Sequence, residues 1–183
     1  MNCRQDKSKE RVQWLPIFTH EKNGKIETVE KQNDDQPQND TDTQSLISYY
    51  KNKESADKTN YGKDKNGKFV DIVDAKIYYE CYGKGDPLIL LHGNNGSISD
   101  FYKLIPELSK HYTVIAIDTR GQGKSTDLTT SDYTYELFAN DLLQVINTLN
   151  LGKINILGWS DGGNTGLIFN AAHPEKVNKL ITI

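Results

Sequence analysis

The sequence predicts an α/β fold built on a mostly parallel, doubly wound sheet. Three observations carry that expectation. From Phe69 onward, short apolar runs alternate with longer segments whose apolar residues recur at helical spacing. The runs at 87–91 and 112–117 are continuous rather than alternating, as in strands buried on both faces. The segment Gly158-Trp159-Ser160-Asp161-Gly162 sits between a further apolar run and a helix-like stretch, which sets a serine at a strand-to-helix turn.

Residues 1–66 are a different material. Between Glu21 and Asn66 the chain is dominated by Lys, Asn, Asp, Gln, Glu and Thr, too polar to bury the apolar surface that would offset chain entropy. A disordered leader acting as a tether is the expectation. Two local exceptions stand out: a hairpin of residues 12–18 turning at Asn23-Gly24, weakened by Pro16, and a short helix beginning near Ser45.

The sheet-forming part, 67–183, reads in order. Strands at 69–72 and 76–82 are joined by a tight turn near Asp74, and partial alternation in the second suits an antiparallel edge, with Cys81 a buried small hydrophobe. Strand 87–91 runs into His92-Gly93-Asn94-Asn95-Gly96-Ser97. A helix over 100–110 carries Phe101, Leu104, Ile105 and Leu108 as its apolar stripe, and Pro106 kinks it or splits it in two. Strand 112–117 follows. A helix from the N-cap Thr134 to Leu149 turns Phe138, Leu142, Val145, Ile146 and Leu149 inward and is stopped by Gly152. The strand before Ser160, the helix after it and an apolar strand near 179–183 complete the pattern. In such sheets ligands sit beyond the carboxyl ends of the strands, where both Asn94 and Ser160 fall.

Leu90-Leu91-His92-Gly93, the run Asp118-Thr119-Arg120-Gly121-Gln122-Gly123-Lys124-Ser125 and Gly158-Trp159-Ser160-Asp161-Gly162-Gly163 occur in the order seen in α/β-hydrolases, and from about Gly67 the chain resembles the N-terminal half of that family. Residues 156–163 are similar to the biphenyl-hydrolase-like branch that includes valacyclovir hydrolase. The resemblance implies Ser160 as nucleophile of a carboxylic ester (or lactone) hydrolase working through an acyl-enzyme. It implies an oxyanion hole made by the backbone N–H groups of Asn94 and Asp161, each such donor being worth about 3–4 kcal/mol of barrier. It also implies that Asp161, with Trp159 beside it, contacts substrate and favours a cationic one; the alternative is that Asp161 serves the helix start. No metal or organic cofactor is implied.

The pattern then breaks off. The family carries its acid and histidine after the serine. His173 is the one histidine there, and a helix would carry it roughly 20 Å away, far beyond hydrogen-bond reach. His92 belongs to the oxyanion loop and Asp161 adjoins the nucleophile. The expectation is a C-terminally truncated hydrolase domain, incomplete in this chain. The alternative is an inactive remnant or a non-catalytic ligand-binding module.

Composition bounds the rest. A net charge of −3 over 183 residues gives no reason to expect nucleic-acid binding, and a small-molecule ester is the partner implied. The Gly-x-Gly-Lys-Ser fragment at 121–125 lacks the first glycine of a phosphate loop, because position 118 is Asp; Asp118 and Arg120 are expected to brace neighbouring turns instead. Cys3 and Cys81 are too few and too far apart for a metal site or a disulfide framework. No run has the length of a transmembrane helix and the N-terminus lacks the apolar core of a secretory signal, which points to the cytoplasm; the alternative is a lipoprotein acylated at Cys3 from a start further upstream. Oligomeric state is not legible.

Overall fold

The computed structural model describes residues 19–22 and 25–28, scattered positions from 44 to 55, and 59–183 apart from 66, 130 and 131. Two compact units divide it, residues 1–40 and 41–183. In the first, β1 (Thr19–Lys22) pairs antiparallel with β2 (Lys25–Thr28), with Lys22 opposite Lys25. Residues 12–18, expected as the first arm of a hairpin, and Asn23-Gly24, expected as its turn, lie outside the described residues. In the second unit, helical backbone occurs at Gln44, Ser48, Lys51, Asn52, Glu54 and Ser55. Ser45 itself lies outside the described residues.

Six strands form the main sheet: β3 (Lys68–Ile72), β4 (Ala75–Tyr82), β5 (Asp86–Leu91), β6 (Tyr112–Ile117), β7 (Ile154–Gly158) and β8 (Val177–Thr182), in the order β3-β4-β6-β5-β7-β8. β6, β5, β7 and β8 run parallel; β3 and β4 form an antiparallel flank, joined by a turn at which Asp74 takes φ 63°. The edge strand is thus β3, and β4 is the second strand in.

Helices cover both faces. α2 (Tyr135–Thr148) and α3 (Asp161–Ala172) pack one face, through Ala139, Leu142, Val145, Ile146 and Phe169 against Ile77, Ile89, Ile115 and Ile156. On the other face a 3-10 turn (Ile98–Phe101) and the single-turn α1 (Ile105–Leu108) bury Ile98, Phe101 and Ile105 against Leu88, Leu90, Val114 and Leu157. The expected 100–110 helix is split as Pro106 allows: proline opens α1, where its missing N–H costs nothing, and Leu104 is left exposed. Thr134 caps α2 as its sequence position predicts, its hydroxyl accepting from Leu137 N–H at 3.1 Å.

Cys81 corrects the sequence reading: it is exposed. It shares a strand face with Ile77 and Tyr79, which lie in the core, but β3 pairs with β4 only as far as Tyr79, so Cys81 has a strand neighbour on the β6 side alone. Packing also begins ahead of Gly67. Tyr61 meets Tyr82 edge-on at 5.2 Å, and the N–H groups of Gly62 and Asp64 donate to the buried Glu80 carboxylate.

Candidate active site

Strand register brings the three signature segments together. Leu91 is the partner of both Ile117 and Gly158, so the loops after β5, β6 and β7 leave the same sheet end side by side. The chain steps from β5 to β6 on one side and to β7 on the other, which makes this the crevice where the strand order switches.

Ser160 stands on the turn between β7 and α3 with φ 52° and ψ −117°, a sparsely populated conformation for a residue with a side chain, costing about 1–3 kcal/mol. Neighbouring hydrogen bonds hold it there. Trp159 N–H donates to Leu91 O at 3.0 Å, Ser160 N–H to Ile183 O at 2.8 Å, and Ile183 N–H to Gly158 O at 3.0 Å. Glycines make the close approach possible: a Cβ on Gly162 would lie 2.1 Å from Leu91 O, and one on Gly158 2.3 Å from Gly162 O. Ser160 is exposed, and its hydroxyl bonds to none of the described residues.

Gly93 faces the serine. A Cβ there would lie 3.2 Å from Ser160 Cβ, so the backbone after β5 runs directly past the hydroxyl-bearing carbon. His92, 1% exposed, fixes this backbone. Thr119 N–H donates to its Nε2 at 3.0 Å, which makes Nε2 the acceptor and places the ring proton on Nδ1, 2.7 Å from Gly93 O. Gly96 N–H donates to the same carbonyl at 3.0 Å. That carbonyl belongs to the peptide unit of Asn94 N–H, and in a trans peptide the two point opposite ways. Pinning Gly93 O therefore aims Asn94 N–H. Among the described residues neither Asn94 N–H nor Asp161 N–H donates to any acceptor. Two unbonded amides beside an exposed hydroxyl at a helix N-terminus can stabilise negative charge on an incoming oxygen.

Asp118, buried at the end of β6, ties this loop to its neighbour by accepting Ile98 N–H and Lys124 N–H, both at 2.8 Å. Burial pushes its carboxyl above the usual range, against the pull of those two donors. Arg120, 2% exposed, forks onto Asp141 at 2.8 and 2.7 Å and reaches Asp127 at 3.1 Å and the carbonyls of Val73 and Asp74. Both residues thus brace turns, as the sequence predicts.

Asp161 does not cap α3: Ser160 occupies the N-cap position and no side chain bonds there. Its carboxylate instead accepts from Tyr135 Oη at 2.9 Å. The sequence reading missed Tyr135, because nothing in its spacing marks the first residue of α2 as a neighbour of α3. Asn94 and Asp161 line an open cleft with Tyr133, Thr134, Tyr135, Glu136 and Phe138. Trp159, 40% exposed, lies over Gly93.

The histidines of this unit stand apart from Ser160 or are otherwise engaged. Both nitrogens of His92 are bonded. His111 lies before β6, and His173 ends α3 against Phe169, twelve helical residues or roughly 18 Å from the serine. Among the described residues no cluster of three or more His, Cys, Asp or Glu is placed to hold a metal, and no helix is long and apolar enough to cross a membrane.

Comparison with known proteins decides the family. Residues 86–183 match the family model of the alpha/beta hydrolase fold. The chain belongs to the alpha/beta hydrolase family. It is 38% identical over 118 residues to a 2-hydroxy-6-oxo-6-(2'-aminophenyl)hexa-2,4-dienoic acid hydrolase of Metapseudomonas resinovorans, covering 62% of this chain and 40% of that protein. It is 35% identical over 118 residues to the serine hydrolase BPHL of Homo sapiens, covering 61% of this chain and 40% of that one. Among solved structures it is similar to a marine microorganism esterase (41% identity, TM-score 0.56, covering 58% of this chain and 40% of that one). It is also similar to Est816, an N-acyl homoserine lactone degrading enzyme (29% identity, TM-score 0.60, covering 63% and 44%). This alpha/beta hydrolase chain spans about two fifths of the length of the curated relatives it matches.

Proposed function

We propose that this chain carries the nucleophile and the oxyanion donors of a serine hydrolase acting on carboxylic esters or lactones. The observation that carries the reading is the strained Ser160 turn with two unbonded amides, of Asn94 and Asp161, beside it. Ser160 Oγ attacks the acyl carbon and loses its proton to a base; the carbonyl π pair moves onto oxygen, where the two amides receive it. Collapse expels the alcohol, which takes up a proton, and leaves an acyl-enzyme that water hydrolyses. The base and its acid partner come, in this reading, from outside residues 59–183, in a longer form of the protein. No metal or organic cofactor enters the scheme.

Asp161 and Glu136 put two carboxylates on the cleft, and its lining holds no lysine or arginine. Substrates bearing an ammonium group fit that charge, with Asp161 as their partner and Trp159 as an apolar wall. Asp161→Asn is expected to remove a preference for amino esters over neutral esters of equal size, measured by competition against a fluorophosphonate probe.

The probe also tests the nucleophile. Slow labelling at Ser160, abolished in Ser160→Ala and accelerated when the chain is extended to the length of its relatives, is the expected result. Labelling that persists in Ser160→Ala overturns the assignment. A second reading, a non-catalytic ligand-binding module, is favoured by the engagement of His92 and the distance of His173. Absence of labelling in the extended form selects it.

A further inference from the structure

Glu80 is a buried carboxylate, 2% exposed on β4, that the chemistry above does not use. It accepts four hydrogen bonds: from Tyr78 Oη at 2.6 Å, from Tyr82 Oη, from Gly62 N–H at 2.8 Å and from Asp64 N–H at 2.9 Å. Four donors match the roughly four acceptor sites of a carboxylate. Two of them belong to residues 60–64, where the polar leader first meets the sheet. Tyr78 Oη also lies 2.9 Å from Asp64 O, and Tyr61 packs on Tyr82, so the segment is gripped along its length.

Its other side rests on the back of the loop that carries Asn94. Gly62 takes φ 74°, and a Cβ there would lie 3.3 Å from Ser99 N and 3.6 Å from Ile98 Cβ. Ile98 N–H is the group bound by Asp118, and Ser97 caps the turn that follows, with Asp100 Oδ2 accepting Ser97 N–H at 3.0 Å. A Cβ on Gly96 would meet that same Asp100 oxygen at 2.4 Å and His92 Nδ1 at 3.1 Å. Residues 62, 98–100, 96 and 92 therefore form one continuous set of close contacts ending at the peptide unit of Asn94.

We infer that residues 60–64 are a strap, locked by Glu80, through which the end of the polar leader sets the position of loop 93–99. The loop is held from the front by His92 and Asp118 and from behind by the strap. Loosening the strap frees the back of the loop, and a load or a bound partner on the leader reaches the loop by this route. The consequence for catalysis rests on the oxyanion reading of Asn94 proposed above; the mechanical coupling does not.

Hydrogen–deuterium exchange on the full chain tests it. Glu80→Gln exchanges an acceptor for a group that cannot satisfy four donors, and Tyr82→Phe removes one donor at the half-buried rim, a milder change that keeps the test available should Glu80→Gln not fold. Both are expected to speed exchange in peptides over 60–64 and over 93–100, by roughly tenfold or more for loss of a bond to a charged group, while α2 keeps its rates. Gly62→Ala, which keeps all four donor groups but sets a methyl against Ser99 N at a φ of 74°, is expected to speed 93–100. Faster exchange confined to 60–64, or a rise over 93–100 no larger than that over α2, overturns the strap. Fluorophosphonate labelling of the extended form separates the two readings. Faster exchange over 93–100 with slower labelling supports both; faster exchange with unchanged labelling keeps the strap and sinks Asn94 as an oxyanion donor.

Discussion

Gly162 and Gly158 show how little room the serine turn has. An added methyl at Gly162 would press into Leu91 O, so Gly162→Ala is expected to cost at least about 2 kcal/mol of stability, read as a lowered urea midpoint with unchanged slope. Arg120 is a different kind of lynchpin. Arg120→Met leaves Asp141 buried without its cation and releases the Val73 and Asp74 carbonyls, a loss of about 3–5 kcal/mol expected in the same assay. Asp127 gives a pH signature. Burial alone would raise its carboxyl, but Thr129 N–H, Tyr133 Oη and Arg120 outweigh that and hold it at about 2. A depressed carboxyl stabilises the fold above its unfolded value, ordinarily about 3.9, and loses that contribution as pH falls through the folded value. The stability advantage of the wild type over Asp127→Asn is therefore expected to shrink between about pH 4 and pH 2, followed by denaturant titration at each pH. Ser160, Asn94, Asp161 and Trp159 were all legible as candidates because their motifs are local; Tyr135 was not, because its bond to Asp161 spans two helices.

At the scale of elements, periodicity located every strand of the main sheet and the long helix α2, since a continuous apolar run and a 3.6-residue stripe are direct records of burial. It failed where neighbours decide. The stripe from Phe101 to Leu108 has the spacing of one helix, but only Pro106 told of the split: Phe101 ends a 3-10 turn capped by Ser97, Leu104 is the N-cap of α1, and Ile105 and Leu108 lie within it. Cys81 reads as buried because its strand does, but β4 runs on past its pairing with β3, and Cys81 is exposed. β8 carries the clearest element-level prediction. It pairs only with β7 among the described strands, and Ile181 and Ile183 are 52% and 68% exposed. An exposed apolar parallel edge invites association. Ile181→Lys is expected to raise the soluble fraction of this chain and to lower its light-scattering mass; equal scattering from both proteins would refute an edge-driven origin.

For the whole molecule, the doubly wound order and the placing of the site at the strand-order switch follow from the sequence pattern, because parallel strands joined by helices have few ways to pack. Relative position inside the sheet was less legible: the alternating strand assigned to an edge is second from it, since an antiparallel hairpin can extend a sheet without either strand announcing which is outermost. The mass of the core comes from residues after 69, yet the polar stretch before them contributes the grip on Glu80, a contact that composition cannot reveal because it uses main-chain amides.

The bond from Ser160 N–H to Ile183 O makes the serine turn a reporter on its outermost neighbour. The β7–β8 ladder already carries one irregularity, between Ile154 and Asn155. Were β8 to slide by a single residue, the carbonyl that anchors the serine would be offered elsewhere, and its strained torsion angles would relax toward ordinary ones. If Ser160 is the nucleophile proposed above, its readiness would then depend on strand alignment at the rim, changed by a displacement of about 3.3 Å.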